Sequence, residues 1–126
     1  MLDEAPAATA LPRYLETLDE SPLDVLPLLA PGFTFSVLWA DESGAKEFGG
    51  GLDDLRAYFA QRDPHGHRHH ILGSSRIGST EFVFGRTTRH QQPLATFFNA
   101  ADVDEQGRLR NLFGARTTAL RFDSPS

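Results

Sequence analysis

The chain has 126 residues, with 12 Lys and Arg against 17 Asp and Glu, a formal net charge of −5. That balance argues against a nucleic-acid or anionic-membrane binder, because either needs clustered Lys and Arg, and this chain has a single lysine. Zero cysteines exclude a disulfide scaffold, a thiolate nucleophile and every cysteine-based metal site, so any chemistry uses oxygen and imidazole. The length predicts one domain able to bury a core and a small cavity, and 40% apolar with 23% charged residues is the composition of a soluble globular protein. The first residues, Met1-Leu2-Asp3-Glu4-Ala5, are acidic where a secretory leader is basic. No apolar run approaches the roughly 20 residues of a membrane span. A cytoplasmic protein is expected.

Residues 1–9, rich in Ala and Pro, and 123–126 read as tails around one domain over 10–122. Leu11, Tyr14, Leu15 and Leu18 recur at i, i+3, i+4 and i+7, the stripe of a helix burying one face. Ser21-Pro22-Leu23-Asp24 combines a capping hydroxyl, a proline suited to the first helical position and an acid near the positive dipole end, so a second helix is predicted. Pro27 kinks it and Pro31-Gly32 ends it. From Phe33 the period becomes two: Phe33, Phe35, Val37 and Trp39 alternate with smaller residues as in a strand. Residues 41–47 and Gly49-Gly50-Gly51 read as loop. A third helix follows on Leu52, Leu55, Tyr58 and Phe59, with Asp53 and Asp54 in its first turn. Strands are predicted over 69–77, 81–89, 94–103 and 109–122, and their three short connections make an antiparallel meander. Helices in front and strands behind give an α+β domain, a curved sheet wrapped over the helices.

Four of the five histidines lie in His65-Gly66-His67-Arg68-His69-His70. Alternate imidazoles can share a metal, but Arg68 puts positive charge among them and no carboxylate is near in sequence, so no metal site is assigned. His69 and His70 begin an apolar strand and point to opposite faces, so one of them faces inward, as a core residue or as a general base. Asp19 and Glu20 sit at the end of the first helix, where a carboxylate opposes the dipole. They either cover the amides of the next helix or, at Asp19, turn under the sheet to hold an imidazole. Asn99, between Phe97-Phe98 and Ala100-Ala101, ties down local structure or aims at a ligand. Arg86 and His90 on the hairpin face cavity or solvent; Arg89 is read as solvated. The triple glycine is no phosphate cradle, since Asp53 and Asp54 would repel the anion.

The order of elements, with Arg13-Tyr14-Leu15, Leu28-Leu29-Ala30-Pro31 and Gly107-Arg108-Leu109, resembles the nuclear-transport-factor-2-like superfamily over roughly residues 10–122. The resemblance implies a cone-shaped curved antiparallel sheet over three N-terminal helices, an internal pocket and a homodimer through the open sheet face. Its members include SnoaL-like polyketide cyclases, ketosteroid isomerase and scytalone dehydratase. Tyr14 is similar to the helix-one tyrosine of ketosteroid isomerase, but that family's base and acid positions fall on Val37 and Asn99, so its proton carrier is missing. His70-Ile71-Leu72-Gly73-Ser74-Ser75-Arg76 is similar to a scytalone dehydratase motif, whose helix-one Asp falls on Asp19, pocket Asn on Asn99 and second His on His90. Two pocket tyrosines of that family fall on Leu18 and Val37.

The resemblance thus implies a catalytic pair, Asp19 and His70, with Tyr14, Val37, Asn99, Arg86 and His90 contacting substrate. A carboxylate on one ring nitrogen fixes the tautomer, and the other nitrogen takes a proton α to a carbonyl, with Asn99 or Tyr14 donating to the enolate. The expected function is a cofactor-independent lyase, isomerase or cyclase acting on a small hydrophobic cyclic or aromatic carbonyl or enol compound. The alternative is a noncatalytic ligand-binding or dimeric interaction domain, with no nucleic-acid or membrane partner.

Overall fold

A computed structural model describes residues 7–61 and 66–118, so the expectations for 1–6, for His65 and for the end of the chain beyond 118 lie outside the described residues. Helix α1 runs Ala10–Glu20 and buries Ala10, Leu11, Tyr14, Leu15 and Leu18, the predicted stripe. Its first amides are not capped by Thr9; they donate to a residue far along the chain. Thr9, Ala10 and Leu11 N–H reach the Glu81 carboxylate at 3.0, 3.3 and 2.8 Å. Glu81 is fully buried, and the aligned amides of a helix start are what a buried anion needs.

The second helix is a 3₁₀ segment, Pro22–Leu28, entered through a backbone bond from Asp24 N–H to Ser21 O (3.0 Å) and not through the Ser21 hydroxyl. Pro22 and Pro27 remove two amide donors, and Pro27 pushes Leu26 away from α geometry, so the tighter i→i+3 turn takes over. Strand β1, Leu29–Asp41, starts earlier than predicted and carries Pro31-Gly32 inside it, where its pairing shifts register between Leu29 and Thr34 and Gly32 adopts φ +76°.

Residues expected as loop form β2, Gly44–Gly50, antiparallel to β1. This is an edge strand with mostly exposed side chains, held by backbone pairing, which leaves no alternating apolar signature. Helix α2, Leu52–Gln61, follows; Asp54 Oδ2 accepts Gly51 N–H at 3.0 Å, so the acid serves the amide itself.

Strands β3 (His67–Ile77), β4 (Thr80–Arg89), β5 (Gln92–Asp102) and β6 (Leu109–Thr117) form the expected meander. The sheet order is β2-β1-β6-β5-β4-β3. β1 pairs with β6 in parallel, so the curved, unclosed sheet is mixed and not wholly antiparallel. The reason is topological: α2 carries the chain to the far edge, and the meander returns with β6 running in the direction of β1. Helices α1 and α2 cover one face, over a core containing Leu11, Leu15, Val25, Phe33, Leu55, Val83, Phe97 and Leu109.

Candidate active site

The last turn of α1 and the start of β3 meet edge to end. Asp19 Oδ2 accepts the backbone N–H of His69 at 2.7 Å, and Asp19 Oδ1 lies 2.7 Å from His69 Nδ1. Both side chains are buried, 5% exposed for Asp19 and 9% for His69. A carboxylate only accepts, so the ring nitrogen facing it carries the proton and donates. The lone pair of the neutral ring is thereby left on Nε2. Gripping amide and ring together also fixes the strand register, because a slip of one residue breaks both bonds.

The sequence motif had pointed to His70, and the structure corrects it. His70 lies on the outer face, opposite Arg86, with Nε2 3.0 Å from Thr88 Oγ1. The reason is a bulge: Ile71 opposes Gly85, but Gly73 already opposes Phe84. Counting back by twos from Ser74, which faces buried Val83, puts His70 inside; the extra residue at the bulge reverses that parity and turns His69 in.

His69 lines a cavity of about 50 Å³ between sheet and helices, together with Tyr14, Val37, Asn99, Trp39 and Arg116. That is room for a few waters. The His69 ring meets Phe97 edge-on, 4.9 Å between centroids. Asn99 is 9% exposed and shares the inward face of β5 with Phe97 and Ala101. Its side chain makes no hydrogen bond to another described residue, so its amide is served only by what enters the cavity. Gly114 makes room for it: a Cβ there would lie 2.7 Å from Asn99 Oδ1.

Tyr14, Val37 and Asn99 therefore come together with His69, and Asp19 stands behind the ring. Arg86 and His90 do not join them; they border an outer groove with Arg68, His70 and Thr88, because even-numbered β4 positions face away from the helices. Two cavity residues went unnoticed in the sequence, Trp39 and Arg116, the guanidinium lying 3.9 Å over the indole ring. Alternation with Leu112 and Gly114 was the available signal for Arg116, since period two puts all three on one face. Among the described residues no three His, Asp or Glu side chains converge as metal ligands would.

No protein-family model matches the sequence, and comparison with curated proteins finds no match. Solved structures do match. A SnoaL-like family protein from Agrobacterium tumefaciens is similar at 16% identity with TM-score 0.58, over 85% of this chain and 93% of that one. A nuclear-transport-factor-2-like protein of unknown function from Cytophaga hutchinsonii is similar at 12% identity and TM-score 0.56, over 92% and 94%. An LEH-like epoxide hydrolase of M. tuberculosis is similar at 14% and 0.59, over 85% and 79%. At these identities the likeness is one of backbone architecture, which unrelated chemistries share. With helices α1 and α2 packed in the concavity of a six-stranded sheet, the chain has the nuclear-transport-factor-2-like fold.

Proposed function

We propose that the Asp19–His69 pair is a general base, and that the protein is a cofactor-independent lyase, isomerase or cyclase acting on a small hydrophobic carbonyl or enol compound. The observation that supports this is the double grip of one buried carboxylate on the His69 amide and ring, beside a cavity that also holds an unpaired amide. In the proposed step His69 Nε2 takes a proton from the carbon α to a carbonyl. The C–H electron pair moves into the enolate, and the charge developing on oxygen is met by the Asn99 amide. Asp19 stabilises the imidazolium, which then returns the proton to the new position or to a leaving group. Phe97, Leu15, Leu18 and Leu55 supply the apolar walls that make these charges felt.

The test is deuterium exchange at the α-carbon of small cyclic ketones and 1,3-diketones, followed by proton NMR with the native protein and His69→Gln. Loss of a general base lowers the rate by about 10² to 10⁴. Equal exchange by both proteins, for every ketone that binds, overturns the reading.

A second reading, an interaction domain, draws on a different observation. The outer sheet face exposes Leu38, Phe84, Phe98 and Phe113 at 39–47%. Single chains rarely leave such a patch in water, and a second copy of the chain covering it is the proposed partner.

A further inference from the structure

The outer face of the sheet carries a second concentration of chemistry that the base mechanism does not use. Strands β3 and β4 place His70 directly opposite Arg86, and Arg68 opposite Thr88, all on the face away from the helices. Together with His90 and Gln91 of the β4–β5 turn they border an open groove of about 580 Å³. Among the described residues no carboxylate borders this groove, and neither Arg68 nor Arg86 forms an ion pair. In a chain of net charge −5 that is an uneven placement of cations. Arg68 and Arg86 are diagonal neighbours across the strand pair, within reach of each other, and like charges so placed repel unless a counter-charge lies between them.

Arg86, which lines the groove, also carries an unmet donor. Arg86 Nε is buried and has no hydrogen-bond partner among the described residues. A buried guanidinium donor left unmade costs more than an exposed one, and its fork geometry is matched by an oxyanion. Thr88 Oγ1, bonded to His70 Nε2 at 3.0 Å, adds a hydroxyl on the same face. The guanidiniums of two arginines, with the one N–H or O–H that the mutual bond of His70 and Thr88 leaves to donate, offer more donors than a planar carboxylate can use and suit a tetrahedral oxyanion.

From this we infer that the groove between β3, β4 and the β4–β5 turn binds a phosphate group, free or as a monoester, held by Arg86 and Arg68 with His70 and Thr88. The site lies on the opposite face of the sheet from His69, so it is independent of the proposed base chemistry.

Titrating the ¹⁵N-labelled protein at pH 7 with inorganic phosphate, and separately with phenyl phosphate, tests it. Saturable shifts of the amides of residues 68, 70, 86 and 88 are expected, and the ligand with the tighter fit names the source. Arg86→Met and Arg68→Met should each weaken binding about tenfold, as loss of a charge-assisted bond implies, while Arg116→Met, on the other face, leaves it unchanged. Circular dichroism checks that each variant is folded, and the mapping on the native protein stands even where one is not. Absence of saturable shifts at those residues, affinity unchanged in both arginine variants, or loss of binding in Arg116→Met overturns the proposal.

Discussion

Replacing Asp19 by Asn separates the roles of its two oxygens. The native carboxylate accepts from the His69 amide and from Nδ1, each at 2.7 Å. An asparagine retains one acceptor and presents an NH₂ group to the other position. With its oxygen on the backbone amide, which keeps the strand register, the NH₂ faces Nδ1 and the ring must turn its lone pair there. The tautomer inverts: Nε2 becomes the N–H, and the nitrogen at the cavity loses its basicity. Inversion of this kind lowers base catalysis by about 10⁴. The stability change is far smaller. Losing a hydrogen bond to a charged group costs about 1.5–3 kcal/mol, offset by about 0.3–1 kcal/mol on removing a negative charge from a helix C-terminus. The net of about 1–2 kcal/mol lowers the melting temperature of a domain this size by roughly 4–8 °C. Long-range ¹H–¹⁵N NMR of the imidazole reads the tautomer without any substrate, and thermal denaturation reads the stability. A native ring protonated on Nε2 and bare at Nδ1 at pH 8, or no tautomer change in Asp19→Asn, refutes the reasoning.

Four other perturbations report on different parts of the molecule. Glu81→Gln keeps the side chain's size but surrenders the charge facing the amides of Thr9, Ala10 and Leu11, and urea denaturation should show a loss of about 2–3 kcal/mol; an unaltered midpoint contradicts the buried cap. Gly114→Ala puts a methyl where the Asn99 amide now sits, so ketone exchange should fall about tenfold or more with little change in melting temperature; retained exchange removes Asn99 from the mechanism. Asp102 is held below the ordinary carboxylate range first by the Thr80 hydroxyl, then by Asn111 and the charge of Arg110. Its contribution is therefore present above about pH 4 and lost as pH falls through the lowered value, and Asp102→Asn should flatten the acid limb of stability against pH. Phe98→Lys on the exposed sheet face should turn a dimer into a monomer in sedimentation velocity; a native protein that sediments as a monomer ends that assignment.

What the sequence disclosed depended on how strongly side chains, as opposed to backbone, decide each element. The α1 stripe and the four meander strands are set by burial with a clear period, and they were legible. β2 is held by main-chain pairing at an edge, with Phe48 its one half-buried aromatic, so its composition imitated a loop. The 3₁₀ segment differs from a kinked helix only through which amides Pro22 and Pro27 remove. At the site, the helix-end carboxylate and the unaccompanied Asn99 were visible because each violates a local preference. Which histidine meets Asp19 was not visible, since the bulge between Ile71 and Gly73 changes the parity of the strand without any glycine-rich or proline signal of its own beyond Gly73. The parallel pairing of β1 with β6 joins residues about 80 positions apart, beyond the reach of local pattern.

The two carboxylates that bracket α1 have a mechanical meaning. Glu81 pins the first turn to β4, and Asp19 pins the last turn to β3, so the helix is bolted to the sheet at both ends. Sliding or tilting it would strip a buried anion of its donors. The opposite wall is packed differently: the cavity side of α2 rests on β1 and β2 through Tyr58 packed on Phe35, Trp39 and Phe48, ring against ring. Contacts between rings tolerate rotation and small displacement far better than short charged hydrogen bonds do. The molecule is thus held stiffly at the Asp19–His69 pair and more compliantly at the aromatic wall. If the proposed cyclic ligand exceeds a cavity of about 50 Å³, the expected adjustment is a displacement of α2 and its aromatic cushion, with the Asp19–His69 geometry kept.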